Sequence, residues 1–224
     1  MRREQAGPAR IGLFSLRRPV LVAPPARSTP DEEQDGGMTM ATWLRSLPSL
    51  TGTPPTPDAE PLPDQPEELF ERWIRQAVDA GVAEAHGATL STVDAHGVPD
   101  ARTLILKDLG PDGWAFAGPR ASAKAAQLAA HPAAALTFWW PAVLRSVRVR
   151  GRVVEASAEE SAADLAARSA AARDGIGPGE WGLWRLVADR VEFWQGSPDR
   201  RHLRTIYRRT DDGWQLTDPE SETR

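Results

Sequence analysis

The stretch Arg145–Glu155, RSVRVRGRVVE, restricts the fold of this chain more than any other. Val147, Val149, Gly151 and Val153 fall at every second position, with Arg148, Arg150 and Arg152 between them. Successive side chains leave opposite faces of a strand, so an extended backbone here has one apolar face and one basic face. The apolar face belongs against a core. The arginine stripe reads as the solvent side of an antiparallel sheet.

Other segments show the same grammar. Ala88–Val93 and Ala101–Lys107 flank the turn signal Asp94–Gly97 and predict a β-hairpin. Pro111-Asp112-Gly113 turns the chain into Trp114–Ala117, and Ala133–Trp140 is an apolar run with an aromatic end. Trp181–Trp194, Arg201–Arg209 and Trp214–Thr217 are the remaining expected strands. Three helices are expected. Leu69, Trp73, Ala77 and Val78 repeat at helical spacing behind Glu67, Glu68 and Glu71. Ser122 starts a second helix that must end before Pro132. Ser157 and Glu160 have capping-box spacing at the head of a third, which runs to about Arg173. Strands that mostly follow one another through short turns predict a mostly β, α+β fold: a Greek-key antiparallel sheet closed into a barrel, with flanking helices.

Residues 1–63 differ from the rest. They are rich in proline, which removes backbone donors wherever it falls, and read as a disordered extension ahead of a domain over 64–218 and a tail over 219–224. Met38 and Met40 are alternative starts to Met1, and Thr42–Leu50 suits a short helix or an arm on a partner subunit. The chain has no cysteine, so disulfides and thiolate chemistry are excluded; an intracellular, cytoplasmic protein fits that composition. The four histidines have no metal-ligand spacing, and a net charge of −4 implies neither a nucleic-acid nor a membrane partner. No strand precedes a GxGxxG run and no P-loop occurs.

Cations nevertheless gather in two places. In VEFWQGSPDRRHLR, Arg200, His202 and Arg204 alternate after a turn; an extended chain would put all three on one face, where only an anionic or electron-rich group relieves their repulsion. Arg102 and Lys107 flank TLIL, on opposite faces of a regular strand, and could serve one ligand only through a bulge or with Lys107 past the strand end. Ser122 and Lys124 sit at a helix start, where free N–H groups favour a phosphate. A phosphorylated planar ligand satisfies both groups.

These residues resemble the pyridoxine/pyridoxamine 5′-phosphate oxidase family of FMN-binding split β-barrel homodimers. The similar pieces are LFERWI (Leu69–Ile74), Ala88–Lys107 with its R-x4-K, Ser122–Lys124, the Ser146–Gly151 strand, and the C-terminal WG…VEFWQG…R-x-H-x-R. The resemblance implies FMN as cofactor. It would be held by Arg102, Thr103, Leu104, Ile105, Leu106, Lys107, Ala117, Gly118, Ser122, Lys124 and Ser146, with Trp194 and Arg204 from the other subunit. Lys107, Arg200 and His202 would meet the substrate, with Arg200 and His202 as the catalytic pair. The implied reaction moves a hydride from pyridoxine or pyridoxamine phosphate to FMN, with reoxidation by O2 giving H2O2 and pyridoxal 5′-phosphate.

The chain departs from the family pattern. Ala123 replaces a phosphate-binding arginine, and the substrate-phosphate clamp falls on Ala167, Ala171 and Gly175. The connection to Trp181 is short. Two other readings therefore stand beside the first: an FMN oxidase of another ring, similar to the phenazine-pathway enzymes, or a flavin- or haem-binding barrel without turnover.

Overall fold

The computed structural model describes residues 38–56 and 61–217. Expectations for residues 1–37, the tail and the translation start lie outside these residues. Helix α1, Met40–Ser46, is capped by Thr39, whose Oγ1 accepts from Thr42 N at 3.1 Å; none of its residues is buried. The remaining elements belong to a separate unit that begins at Pro48.

In that unit α2 spans Pro66–Asp79, with Pro66 at its first turn and Glu67 and Glu68 on the favourable side of the helix dipole. Leu69, Trp73 and Ala77 are buried, as the spacing predicts, whereas Val78 is exposed. The hairpin β1 (Gly87–Val93) and β2 (Pro99–Ile105) follows, then β3 (Asp108–Gly110), β4 (Gly113–Pro119), α3 (Ala123–Ala130), β5 (Ala133–Trp140) and β6 (Arg145–Glu155). The capping box at Ser157 and Glu160 is formed in both directions at the head of α4 (Ala158–Ala166). The single helix expected there is broken: Ser169 caps a separate α5, Ala170–Arg173. The long strand β7 (Trp181–Gln195), β8 (Leu203–Thr210) and β9 (Gly213–Thr217) complete nine strands among the described residues. The one without a counterpart among the expected segments is β3, too short to show a period.

All pairings are antiparallel, in the order β2-β1-β5-β6-β7-β4-β3, with β8 on β7 and β9 on β8. β4 pairs with β7 rather than with the next strand, a Greek-key step. The expected closed barrel is corrected by this order. β2 and β3 lie at opposite ends of the path and are consecutive in sequence, so Leu106-Lys107 brings the two ends together. Leu106 N bonds His86 O on one side and Lys107 N bonds Ala115 O on the other, each at 2.8 Å, but no ladder joins β2 to β3. The sheet curls round without closing, because the chain turns at the point where the last ladder would form.

The inner face is filled by Phe70, Trp114, Phe138 and Trp140; Phe70 lies 4.5 Å from Trp114 and 4.8 Å from Phe138, centroid to centroid. Val147, Val149 and Val153 face this core, and Arg148, Arg150 and Arg152 are exposed, as the alternation predicts. The β6–β7 register shifts between Arg150 and Gly151, where Asp189 is the extra residue on β7. A Cβ at Gly151 would stand 2.1 Å from Val187 O, so this bulge admits only glycine without movement. Gly151→Ala is expected to lower unfolding free energy by about 1–3 kcal/mol, read from chemical denaturation. An unchanged midpoint would show that β7 yields there at no cost.

Candidate functional site

The first group of predicted residues assembles around the N-terminus of α3. Arg102 and Leu90 are cross-strand partners, so Arg102 leaves β2 on the inward side. Its Nη1 donates to Thr92 Oγ1 at 2.5 Å, and its Nη2 donates to Asp100 Oδ2 and Gln127 Oε1, each at 2.7 Å. Gln127 belongs to α3 and also donates to Asp100 at 3.0 Å. These bonds fix the guanidinium between hairpin and helix. The Gln127 and Ala101 donors, with the Arg102 charge, hold the Asp100 carboxyl below the usual range.

Lys124 sits beside this network. Its Nζ donates to Ser122 Oγ at 3.1 Å and lies so close over Gly118 that a Cβ there would be 2.1 Å away. Partial burial, and then the Arg102 charge, lower the pKa of its ammonium. No carboxylate forms an ion pair with it among the described residues. Ser122 does not cap α3 as expected: its hydroxyl donates to Pro119 O at 2.6 Å, and the helix has no side-chain cap. Ala125 and Ala126 N–H donate to Ser122 O, and the N–H groups of Ala123 and Lys124 are left to another acceptor. A depressed ammonium, a fixed guanidinium and an uncapped helix start form an anion site with the chemistry of a phosphate cradle.

The rest of this half divides by strand face. Thr103 and Ile105 are exposed on the outer side, while Leu104 and Leu106 pack against the core. β2 ends at Ile105, so Lys107 lies past the strand end, the second of the two arrangements open to it. Its Nζ is 3.9 Å from Asp164 Oδ1 on α4. Ala117 and Gly118 pair with Leu183 and Gly182 at the start of β7.

The second group lies at the other end of β7, on the order of 40 Å of extended chain away. Trp139, Ser146, Trp194 and Arg204 are successive cross-strand partners over β5, β6, β7 and β8. They form one row on the outer face. Trp139 is half exposed, and its ring centroid is 6.0 Å from that of Trp194, which is 4.8 Å from that of His202. The expected alternation of Arg200, His202 and Arg204 on one strand face is corrected. β8 begins at Leu203, and Arg200 adopts φ 64° within the turn. Ser197 and Asp199 extend that turn: Ser197 Oγ bonds Asp199 Oδ1 at 2.5 Å, and Asp199 accepts from Arg201 N at 3.0 Å. Ser197 N–H donates to His202 Nδ1 at 3.1 Å, so a neutral imidazole carries its proton on Nε2 and offers it outward as a donor.

Sequence reasoning missed the acids and amides that hold these cations. Glu192, only 8% exposed, accepts from Arg148 at 2.7 Å and Arg190 at 2.8 Å, and its Oε1 is 3.4 Å from Arg204 Nε. Burial opposes its ionisation, but the Arg190 hydrogen bond and Arg148 charge prevail and lower its pKa. Asp100 and Gln127 serve Arg102 in the same way, and Trp139 extends the aromatic row. Arg190 meets Glu192 from two positions away on β7, but Arg148 reaches it only through the β6–β7 pairing and Arg204 through the β7–β8 pairing.

The Lys124 arrangement has a signed consequence. A lysine whose folded pKa lies below its unfolded one costs stability while charged, and that cost disappears as pH rises through the folded pKa. In phosphate-free buffer at neutral pH, Lys124→Met is therefore expected to raise the melting temperature. The gain should vanish at alkaline pH, and added phosphate should stabilise the wild type more than the variant. A lower melting temperature in phosphate-free buffer would contradict the uncompensated charge.

Known proteins are similar to this chain in sequence and in fold. Residues 74–195 match the family model for pyridoxamine 5′-phosphate oxidase, and residues 181–218 match that for the pyridoxine 5′-phosphate oxidase C-terminal dimerisation region. The pyridoxine/pyridoxamine 5′-phosphate oxidase of Paraburkholderia phytofirmans is 36% identical over 193 residues, spanning 71% of this chain and 91% of that protein. The protein of the same name from Ralstonia pickettii is 40% identical over 187 residues, spanning 70% and 86%. PhzG from Burkholderia lata, solved with tetrahydrophenazine-1-carboxylic acid, has a similar fold with a TM-score of 0.66 at 23% identity, over 73% of this chain and 96% of that one. A pyridoxamine 5′-phosphate oxidase-related, FMN-binding protein from Nostoc punctiforme gives 0.52 at 20% identity, over 67% and 97%. With a family model matched over more than half its length, relatives aligned along most of theirs, and the same open antiparallel sheet, this chain belongs to the pyridoxamine 5′-phosphate oxidase family.

Proposed function

We propose that the chain is an FMN-dependent oxidoreductase of the cytoplasm that works as a homodimer, with each cofactor held between two protomers. The observation that carries this reading is the Lys124 cradle: an ammonium over Gly118, beside Arg102 and an uncapped helix start, with its charge unmatched. A terminal phosphate monoester fits that donor set. FMN held there by Arg102, Ser122 and Lys124 would supply a hydride acceptor that O2 could reoxidise, giving H2O2.

The chain's own groups have separable tasks. Arg102, Ser122 and Lys124 hold the phosphate. Thr103–Lys107, Ala117 and Gly118 line the cofactor. Ser146, Trp194 and Arg204 meet the ring from the partner protomer, because in one chain the Lys124 cradle flanks the start of β7 and these three lie at its end, on the order of 40 Å of extended strand away. The match over residues 181–218 to a dimerisation region supports that division. His202 stands beside the Trp194 ring as an Nε2–H donor, Arg200 adds a charge from the turn before β8, and the two orient the substrate ring. Lys107 meets the substrate from the other side. The relatives' names point to pyridoxine or pyridoxamine 5′-phosphate as substrate and pyridoxal 5′-phosphate as product.

Purified protein is expected to be yellow and to carry about one FMN per chain by flavin absorbance; colourless protein that ignores added FMN would defeat the proposal. Arg200→Ala should weaken substrate binding at least about tenfold while FMN content is kept. Loss of flavin instead would move Arg200 to the cofactor. Peroxide release assayed with pyridoxine 5′-phosphate and with unphosphorylated rings identifies the substrate.

A further inference from the structure

Lys107, on the substrate side of the proposed site, does not face an empty pocket. Its ammonium stands 3.9 Å from Asp164 Oδ1, and the two side chains are 18% and 14% exposed. Asp164 is held in place. Its Oδ2 accepts from Trp181 Nε1 at 2.7 Å, and the Trp181 ring is covered by the Arg168 guanidinium at 4.5 Å. The pair is too long for a direct hydrogen bond, so a polar group of a ligand can still bond the ammonium. Any group that does so comes within a few ångströms of a fixed carboxylate.

We infer that Asp164 sets the charge of the substrate: the group offered to Lys107 is not a phosphate dianion, and the ring oxidised here is an unphosphorylated one. The inference rests on the FMN oxidoreductase reading and departs from the phosphorylated substrates that the relatives' names point to. A dianion drawn to Lys107 meets the Asp164 charge at similar range, in a mostly buried place where screening is weak. The neighbouring helices do not supply a replacement clamp. Ala167, Ala171 and Gly175 have no donor side chains. Arg168 lies on Trp181, with its Nε directed to Ala172 O at 3.4 Å. Arg120 pairs with Glu155 and donates to Trp181 O. Arg173 is exposed at the mouth of a cavity of about 560 Å3, where solvent screens it. Arg120, already paired, and Asp174 share that cavity with Leu165, Ala166, Ile176 and Trp181, whose apolar wall can take a ring edge.

The test uses FMN-loaded protein and 4-deoxypyridoxine with and without its 5′-phosphate, a pair that lacks the oxidisable C4′ group. Calorimetric titration of the wild type is expected to show no preference for the phosphorylated form. Asp164→Asn keeps an acceptor for Trp181 and removes the charge; it should tighten the phosphorylated ligand about tenfold and leave the other within about threefold. Asp164→Ser is the second variant if the first loses flavin. A wild-type preference of about tenfold for the phosphorylated form, an unchanged ratio in the variants, or binding of neither ligand would overturn the inference. Flavin absorbance separates the two levels: yellow protein with a phosphate preference fails this inference alone, and colourless protein fails the reading beneath it.

Discussion

The long ladder between β6 and β7 is the constraint on which the other features depend. All eleven residues of β6 pair along β7, and the register shifts once, at Gly151. This pairing decides that Val147 and Val149 meet the core while Ser146 and Arg148 stand outside beside Trp194 and Glu192. A slip of one residue would turn Arg148, Arg150 and Arg152 inward. The ladder also sets the distance between the two halves of the site, since the phosphate cradle flanks the start of β7 and the aromatic row crosses its end.

The cations in both halves are positioned by neutral or acidic partners that leave some of their capacity unspent. Arg102 is held by Thr92, Asp100 and Gln127 before any ligand arrives. Arg204 shares Glu192 with Arg148 and Arg190. Preorganisation of this kind lowers the ordering cost of binding, because the long side chains are already restricted. Lys124 is the exception. It has a hydroxyl for company and no counter-charge, which makes it the member of the site most in need of an anion.

Much of the fold was legible because it rests on local periodicity. The alternation from Arg145, the capping box at Ser157 and the helical spacing of Leu69, Trp73 and Ala77 each have a single physical interpretation. What escaped was set by contacts distant in sequence or by features too short to show a period. β3 is three residues long. The open seam depends on where Leu106-Lys107 turns between two ladders. The break between α4 and α5 follows Ser169, which competes for its own backbone as a cap. In the site, residue types were readable and their partners were not: Lys107 stood out as a cation, but its pairing with Asp164 exists only once α4 packs over the start of β7.

Arg200 carries one more implication. With φ 64°, it holds a left-handed backbone conformation that a residue with a Cβ adopts at a cost on the order of 1 kcal/mol. Glycine would relieve that cost and tighten the turn closed by the Arg200 N to Ser197 O bond, but it would delete the guanidinium. Under the substrate-binding role proposed for Arg200, folding and binding select in opposite directions at this position. On that reading, a chain that kept the scaffold and lost the substrate would be free to carry glycine or asparagine there.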